Sequence, residues 1–250
     1  MRYYLVTGSS RGLGEGIVRA LLGQDATVFT LARTNNSEME KIADKSGGRL
    51  APFNFDLAET TAIDGLLDEI FSEIDFEEAS GLYLINNAGV LPPMGPVETN
   101  DATQTEYHIR VNLLAPMRLT SGFIARSSGC FCRKVVANVS SGAARHPYFG
   151  WSSYCAGKAG LNMFTQVVGV EQRELENPVI IFSIDPGIVD TDMQAEIRAV
   201  EDSRFRDKST FIRYREMGYL ADPLETGRKI AAALDDPTIA TGDTVSVKKG

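Results

Sequence analysis

Seven short runs of apolar, β-prone residues recur along this chain, and five of the first six are followed by a segment with helical periodicity. The runs fall at 3–6, 27–31, 50–55, 81–85, 133–139, 179–184 and 244–247. Several are almost continuously apolar, as parallel strands covered on both faces must be. Helical patterns lie between them at 13–22, 60–74, 103–125, 153–175 and 224–234. This β-α-β alternation predicts an α/β protein with a doubly wound, seven-stranded parallel sheet and helices on both faces. No repeat, low-complexity tract or linker interrupts it, so residues 1–250 are read as one domain. A charged, helix-prone insertion at about 191–220 follows the sixth strand, where it would roof a site at the carboxyl ends of the strands.

The first strand leads into LVTGSSRGLGEG, on which two chemistries can be written. Gly8-Ser9-Ser10-Arg11-Gly12 matches the G-x-S-x-G elbow of a serine hydrolase. That elbow needs an acid and then a histidine later in the chain, and an oxyanion loop from an earlier strand. The two histidines, His108 and His146, lie in mid-chain, and no earlier strand exists. The alternative is a Rossmann-type phosphate cradle. Gly8 permits a tight turn, and Gly12 and Gly14 let backbone approach phosphate and helix pack on sheet. The helix that follows would aim its N–H groups at a pyrophosphate, with Ser10, Arg11 and Leu13 in the loop. The G-x-x-x-G-x-G spacing differs from the commoner G-x-G-x-x-G.

About 20 residues further on, a cofactor with a free ribose hydroxyl calls for Asp or Glu at the end of the second strand. The chain has Arg33 there, and Arg11 in the loop adds a second cation. Guanidinium groups at these places suit a 2′-phosphate, so the expected cofactor is NADP(H).

The second informative stretch is NVSSGAARHPYFGWSSYCAGKAG, residues 138–160. Tyr154 and Lys158 stand four apart, on one face of a helix. An ammonium fixed beside a phenol would bring its pKa from about 10 toward neutrality, making it a proton donor to a carbonyl oxygen.

Composition excludes other classes. The net charge is −8 with no basic stripe, which argues against nucleic acid. Hydrophobic residues at 43% and charged residues at 23% are ordinary for a soluble domain, and no apolar run approaches the ~20 residues of a membrane span. Cys130, Cys132 and Cys155 form neither a disulfide framework nor a zinc pattern, so no metal is expected. The chain opens on a strand pattern in place of a secretory leader, and the reading is a cytoplasmic protein.

Together, Thr7-Gly8-Ser9-Ser10-Arg11-Gly12-Leu13-Gly14, Asn86-Asn87-Ala88-Gly89, Asn112, Asn138-Val139-Ser140-Ser141, Tyr154-x-x-x-Lys158 and Asp185-Pro186-Gly187 resemble the short-chain dehydrogenase/reductase family over nearly the whole length. The resemblance implies that Tyr154 is the general acid/base and that Lys158 tunes it and holds the nicotinamide ribose. Ser141, with Ser140 as its alternative, would steady the substrate oxygen, and Asn112 would anchor a water in the proton relay. Asp56 and Leu57 would meet the adenine, Asn86 to Gly89 the ribose, and Pro186, Gly187, Val189 and Thr191 the carboxamide side. Pro116, four after Asn112, lacks the N–H that a helix would return to the Asn112 carbonyl, which would leave that carbonyl for the water.

A closer resemblance, to sepiapterin reductases and bacterial benzil reductases, rests on Tyr148-Phe149-Gly150-Trp151, Asn112-Leu113-Leu114-Ala115-Pro116-Met117 and Val189-Asp190-Thr191-Asp192-Met193-Gln194. Sepiapterin reductases anchor the pterin with an acidic residue in the last strand. The resemblance puts Ser246 at that place here, with Asp243 close by. An aromatic-tolerant pocket walled by Tyr148, Trp151 and Met193, with Phe149 and Leu91, is expected. The implied activity is NADPH-dependent reduction of a ketone or diketone, such as an aromatic 1,2-diketone or a sepiapterin-like side chain. The alternatives are a sugar, acyl-thioester or steroid substrate, or a non-catalytic NADP-binding sensor. The family's habit implies a homodimer or homotetramer.

Overall fold

The computed structural model describes residues 1–23, 25–34 and 36–248. Seven parallel strands form one sheet: β1 Arg2–Thr7, β2 Ala26–Ala32, β3 Arg49–Asn54, β4 Gly81–Asn86, β5 Arg133–Val139, β6 Ile180–Asp185 and β7 Thr244–Ser246. Their order across the sheet is β3-β2-β1-β4-β5-β6-β7, and every pairing is parallel. All seven expected strands are present, with ends within one residue of those expected.

Strand alternation divides the core. Leu5, Phe29, Leu84, Val136 and Ile181 face one side, and Val6, Val28, Ile85, Ala137 and Phe182 the other. The first face is covered by α3 Ile63–Ser72, α5 Ala115–Arg126 and α6 Ser152–Arg173 through Leu67, Phe123 and Val168. The second is covered by α1 Gly12–Leu21 and α9 Pro223–Asp235 through Ile17, Val18, Ile230 and Leu234. Those two helices approach closely because Gly16 and Gly227 face one another; a methyl group on either would meet backbone of the opposite helix.

Three local features depart from the sequence reading. Ser37–Ser46 forms a helix, α2, where none was expected. It buries only Met39 and Ala43, too thin an apolar stripe to read, but Asn36 accepts from the Glu38 N–H and Gly47 closes the helix at φ 76°. The 60–74 helix begins with a 3₁₀ turn at Thr60–Ala62. The 103–125 helix is broken into α4 Ala102–Ile109, a π-turn Arg110–Leu114, and α5. Pro116 forbids the α-type bond to the Asn112 carbonyl, and the ladder widens beside it, with Ala115 N–H donating to Arg110 O.

Cys130 and Cys132, expected as free thiols, are paired with each other in the turn before β5, with Cα atoms 5.4 Å apart; Cys155 is free. Among the described residues no helix is long and apolar enough to cross a membrane.

The strand order reverses between β1 and β4, so the connections diverge there and open a crevice at the carboxyl ends. Over it lies a third apolar cluster that includes Leu91, Trp151, Ile197, Phe205 and Phe211. The 191–220 stretch contributes to it through two helices, α7 Asp192–Ala199 and α8 Lys208–Glu216.

Candidate active site

A cavity of about 1370 Å³ occupies the crevice. Gly8, Ser10, Arg11, Gly12, Leu13 and Gly14 line one end, and Tyr148, Trp151, Met193 and Phe211 the other. Ser141, Tyr154 and Lys158 lie between them, with Asn87, Ala88 and Gly89 along one wall and Pro186, Gly187, Val189 and Thr191 along another. Arg33, Asp56 and Leu57 complete the glycine-loop end.

The glycine loop is built from close backbone contacts. Gly8 turns at φ 66° and packs on Ala88, and a methyl on Gly14 would collide with the Gly8 carbonyl and lie 2.7 Å from Asn87 Nδ2. Asn87 Nδ2 donates to Thr7 O at 3.0 Å, and Thr7 Oγ1 accepts from the N–H groups of Asn87 and Ala88, each at 3.0 Å. The turn after β4 is thereby tied to the loop after β1. Asn86, expected beside the ribose, is buried in the sheet instead. Its Nδ2 donates to Asn138 Oδ1 at 2.8 Å, because strand alternation turns it away from the crevice.

Tyr154, Lys158 and Asn112 are buried at 7%, 4% and 0% exposure. Lys158 Nζ lies 5.9 Å from the Tyr154 ring centre and donates to Val139 O at 2.7 Å. Ser141 is within hydrogen-bonding reach of the Tyr154 phenol, and its Oγ also accepts from Ala143 N at 3.2 Å. The buried Ser140 is not the serine that meets the phenol.

The expected depression of the phenol is absent. Burial pushes Tyr154 up to about 12, against the lowering effect of Ser141. Burial also brings the Lys158 ammonium down to about 8. Desolvation penalises both ions, and here it outweighs the attraction expected from their i, i+4 spacing. Tyr154 therefore holds its proton, the state that a donor to a carbonyl needs.

Asn112 holds the loop after β4. Val90 N–H donates to Oδ1 at 2.8 Å, and Nδ2 donates to Val90 O and to His108 Nε2, both at 2.7 Å. His108 packs edge-on to Tyr154 with ring centres 6.0 Å apart. Sequence reasoning gave His108 no role here, although its place four before Asn112 puts the two on one helix face.

The remaining expected residues lie at the rim or outside the cavity. Phe149 does not line the cavity; its ring lies 4.1 Å from the Arg206 guanidinium carbon. Arg11 is paired with Asp192 at 2.7 Å, joining the glycine loop to α7. Arg33 donates to Tyr107 OH at 3.2 Å and makes no ion pair among the described residues. Asp56 Oδ1 accepts from Ala58 N at 2.9 Å. Asp243 caps its own turn by accepting from Ala240 N at 3.0 Å, and Ser246 is exposed; neither lines the cavity.

The short chain dehydrogenase family profile matches residues 2–202. The chain belongs to that family. Family members act on carbonyl and alcohol groups with a nicotinamide dinucleotide, so the chain is an oxidoreductase. The glycine cradle, closed to any side chain at Gly14 and lined with loop backbone, fits the pyrophosphate of such a cofactor.

Among this short-chain dehydrogenase's relatives, a benzil reductase ((S)-benzoin forming) of Bacillus cereus is 39% identical over 99% of both chains. The sepiapterin reductase of Rattus norvegicus is 30% identical over 95% of this chain and 93% of that one. The crystal structure of the KRED1-Pglu enzyme covers 98% of this chain and 100% of its own, at TM-score 0.84 and 31% identity. A metagenomic short-chain oxidoreductase in complex with NADP superposes at TM-score 0.76 and 25% identity, over 100% of this chain and 97% of that one.

Proposed function

We propose that this short-chain dehydrogenase is an NADPH-dependent carbonyl reductase acting on aromatic ketones and 1,2-diketones of the benzil type. The observation that carries the reading is the protonated, buried Tyr154 with Ser141 and Lys158 beside it, midway between the glycine loop and an aromatic pocket.

A bound nicotinamide supplies the hydride. The chain's residues do the rest. Ser141 donates to the substrate carbonyl oxygen and fixes it against the phenol, and Tyr154 gives that oxygen its proton as the carbon is reduced. Lys158, held by Val139 O, sets the field that stabilises the phenolate left behind. The Pro116 gap supports the Asn112 carbonyl as the acceptor for a relay water that returns the proton.

The choice of NADPH is supported by Arg33, which stands at the end of β2 where a 2′-hydroxyl reader would carry a carboxylate. Its guanidinium has donors left to receive a 2′-phosphate. Tyr148, Trp151, Phe211 and Leu91 offer flat apolar walls suited to aryl groups. The want of an acid at Ser246 disfavours a pterin. Met163, Val167 and Val170 form an exposed apolar stripe on α6, which supports assembly as a homodimer or homotetramer.

The test is steady-state reduction of benzil, with sepiapterin, a sugar ketone, an acyl-thioester and a steroid ketone as comparators and NADPH or NADH as donor. The reading predicts the highest kcat/KM with benzil and NADPH. Tight NADPH binding without turnover of any carbonyl would favour a nucleotide sensor instead.

A further inference from the structure

We propose that His108 is a positioning residue for the Tyr154 acid, acting through Asn112 and only as a neutral imidazole protonated at Nδ1. The inference rests on the carbonyl-reductase reading for its effect on turnover, but its geometry stands in the free protein.

The argument is a count of donors and acceptors. An asparagine side chain offers one acceptor oxygen and two N–H hydrogens. Val90 N is a donor and lies 2.8 Å from Oδ1, so the amide has one permitted orientation. Its two hydrogens then go to Val90 O and His108 Nε2, each at 2.7 Å. Nε2 must therefore be bare. The other ring nitrogen, Nδ1, lies 2.8 Å from Pro92 O, which can only accept, so the proton sits on Nδ1. An imidazolium would set N–H against N–H at Asn112.

The surroundings agree. His108 is 0% exposed, and the titratable groups facing it among the described residues are Tyr154 and Lys158 of α6. From the π-turn it meets the uncharged Asn112, and from the loop after β4 the Pro92 carbonyl. Burial and the Lys158 charge lower its pKa, against the raising effects of the Pro92 carbonyl and of the Ser153 carbonyl of α6. A methyl on Gly157 would lie 3.6 Å from Nε2, so the ring also fills the space between α6 and the π-turn.

The consequence reaches the reacting groups. Val90, Leu91 and Pro92 line the cavity, and Gly89 lies against both Asn112 Oδ1 and Lys158 Nζ. Protonating or deleting the imidazole frees the Asn112 amide, loosens this wall and shifts the substrate relative to Tyr154.

The experiment compares the parent with His108→Phe and His108→Gln. Phe keeps the ring and loses both hydrogen bonds, whereas Gln can donate to Pro92 O and accept from Asn112 Nδ2. The expected result with benzil and NADPH is a kcat loss of about 10–100-fold in H108F, since small misplacements of reacting groups cost that much. H108Q should recover most of it, and its kcat/KM should lack the parent's loss on the acid side. In the free proteins, exchange of the Val90 amide should quicken about 5–10-fold in H108F and little in H108Q, as a lost hydrogen bond of about 1–1.5 kcal/mol implies. Imidazole ¹⁵N spectra of the parent should show His108, identified by its loss in H108Q, as the Nδ1–H tautomer. An Nε2–H tautomer, an imidazolium at neutral pH, or unchanged Val90 exchange in H108F would overturn the proposal. Failure of the parent to reduce benzil would sink the functional reading, leaving the spectra and the exchange rates to judge His108.

Discussion

Replacing Lys158 by Met should make the protein more stable while abolishing its use as a reductase. Lys158 is 4% exposed, and burial brings its ammonium from 10.5 to about 8. At about 1.36 kcal/mol per pKa unit, that depression corresponds to about 3 kcal/mol of destabilisation at neutral pH. Met matches the stem and carries no charge, but it gives up the bond to Val139 O, a loss of about 1 kcal/mol. The net expectation is a gain of about 2 kcal/mol, or roughly 4–8 °C in Tm for a chain of this size. The sign follows from linkage: a folded pKa below the unfolded one means that the unfolded chain binds more protons in between. The advantage of K158M is therefore full below pH 8, shrinks as pH rises toward 10.5, and is gone above it. Thermal unfolding of both proteins by circular dichroism at pH 7 and at pH 10 checks this. A variant melting at or below the parent at pH 7 would refute burial as the source of the depressed pKa. So would an advantage that does not shrink with pH.

Two further substitutions probe the cofactor end. Arg33→Asp puts an acid where a free ribose hydroxyl is read, and should lower the NADPH-to-NADH ratio of kcat/KM at least about tenfold, as loss of a charge-assisted bond of about 1.5–3 kcal/mol implies; an unchanged ratio would show that Arg33 is not the reader. Gly14→Ala drives a methyl into the Gly8 carbonyl and toward Asn87 Nδ2, and should cost roughly 1–3 kcal/mol of stability in thermal unfolding, as overpacking does, along with NADPH affinity in a binding titration.

The parts legible in the sequence are those that one residue type or one period dictates. Near-continuous apolar runs can satisfy both faces of a parallel sheet, which is why all seven strands were readable, and the four-residue step from Tyr154 to Lys158 survives any detail of packing. Helix α2 was not readable because two buried residues, Met39 and Ala43, hold it and its caps do the rest. The π-turn was half-legible: Pro116 announced a missing donor, but the widening of the preceding turn depends on tertiary packing. Local spacing misjudged Tyr154, since proximity to an ammonium is visible in sequence and desolvation is not. Phe149 and Asn86 failed for the same reason, as their orientation is set by neighbours far along the chain.

Everything proposed for the reaction converges on one proton. The direct measurement is to take Tyr154→Phe, determine its NADPH dissociation constant by fluorescence titration, and follow benzil reduction in the same preparation. The account predicts a dissociation constant close to the parent's, because the glycine loop is untouched, and a kcat lower by about 10²–10⁴-fold. Parental turnover in that variant would show that the carbonyl oxygen receives its proton from elsewhere.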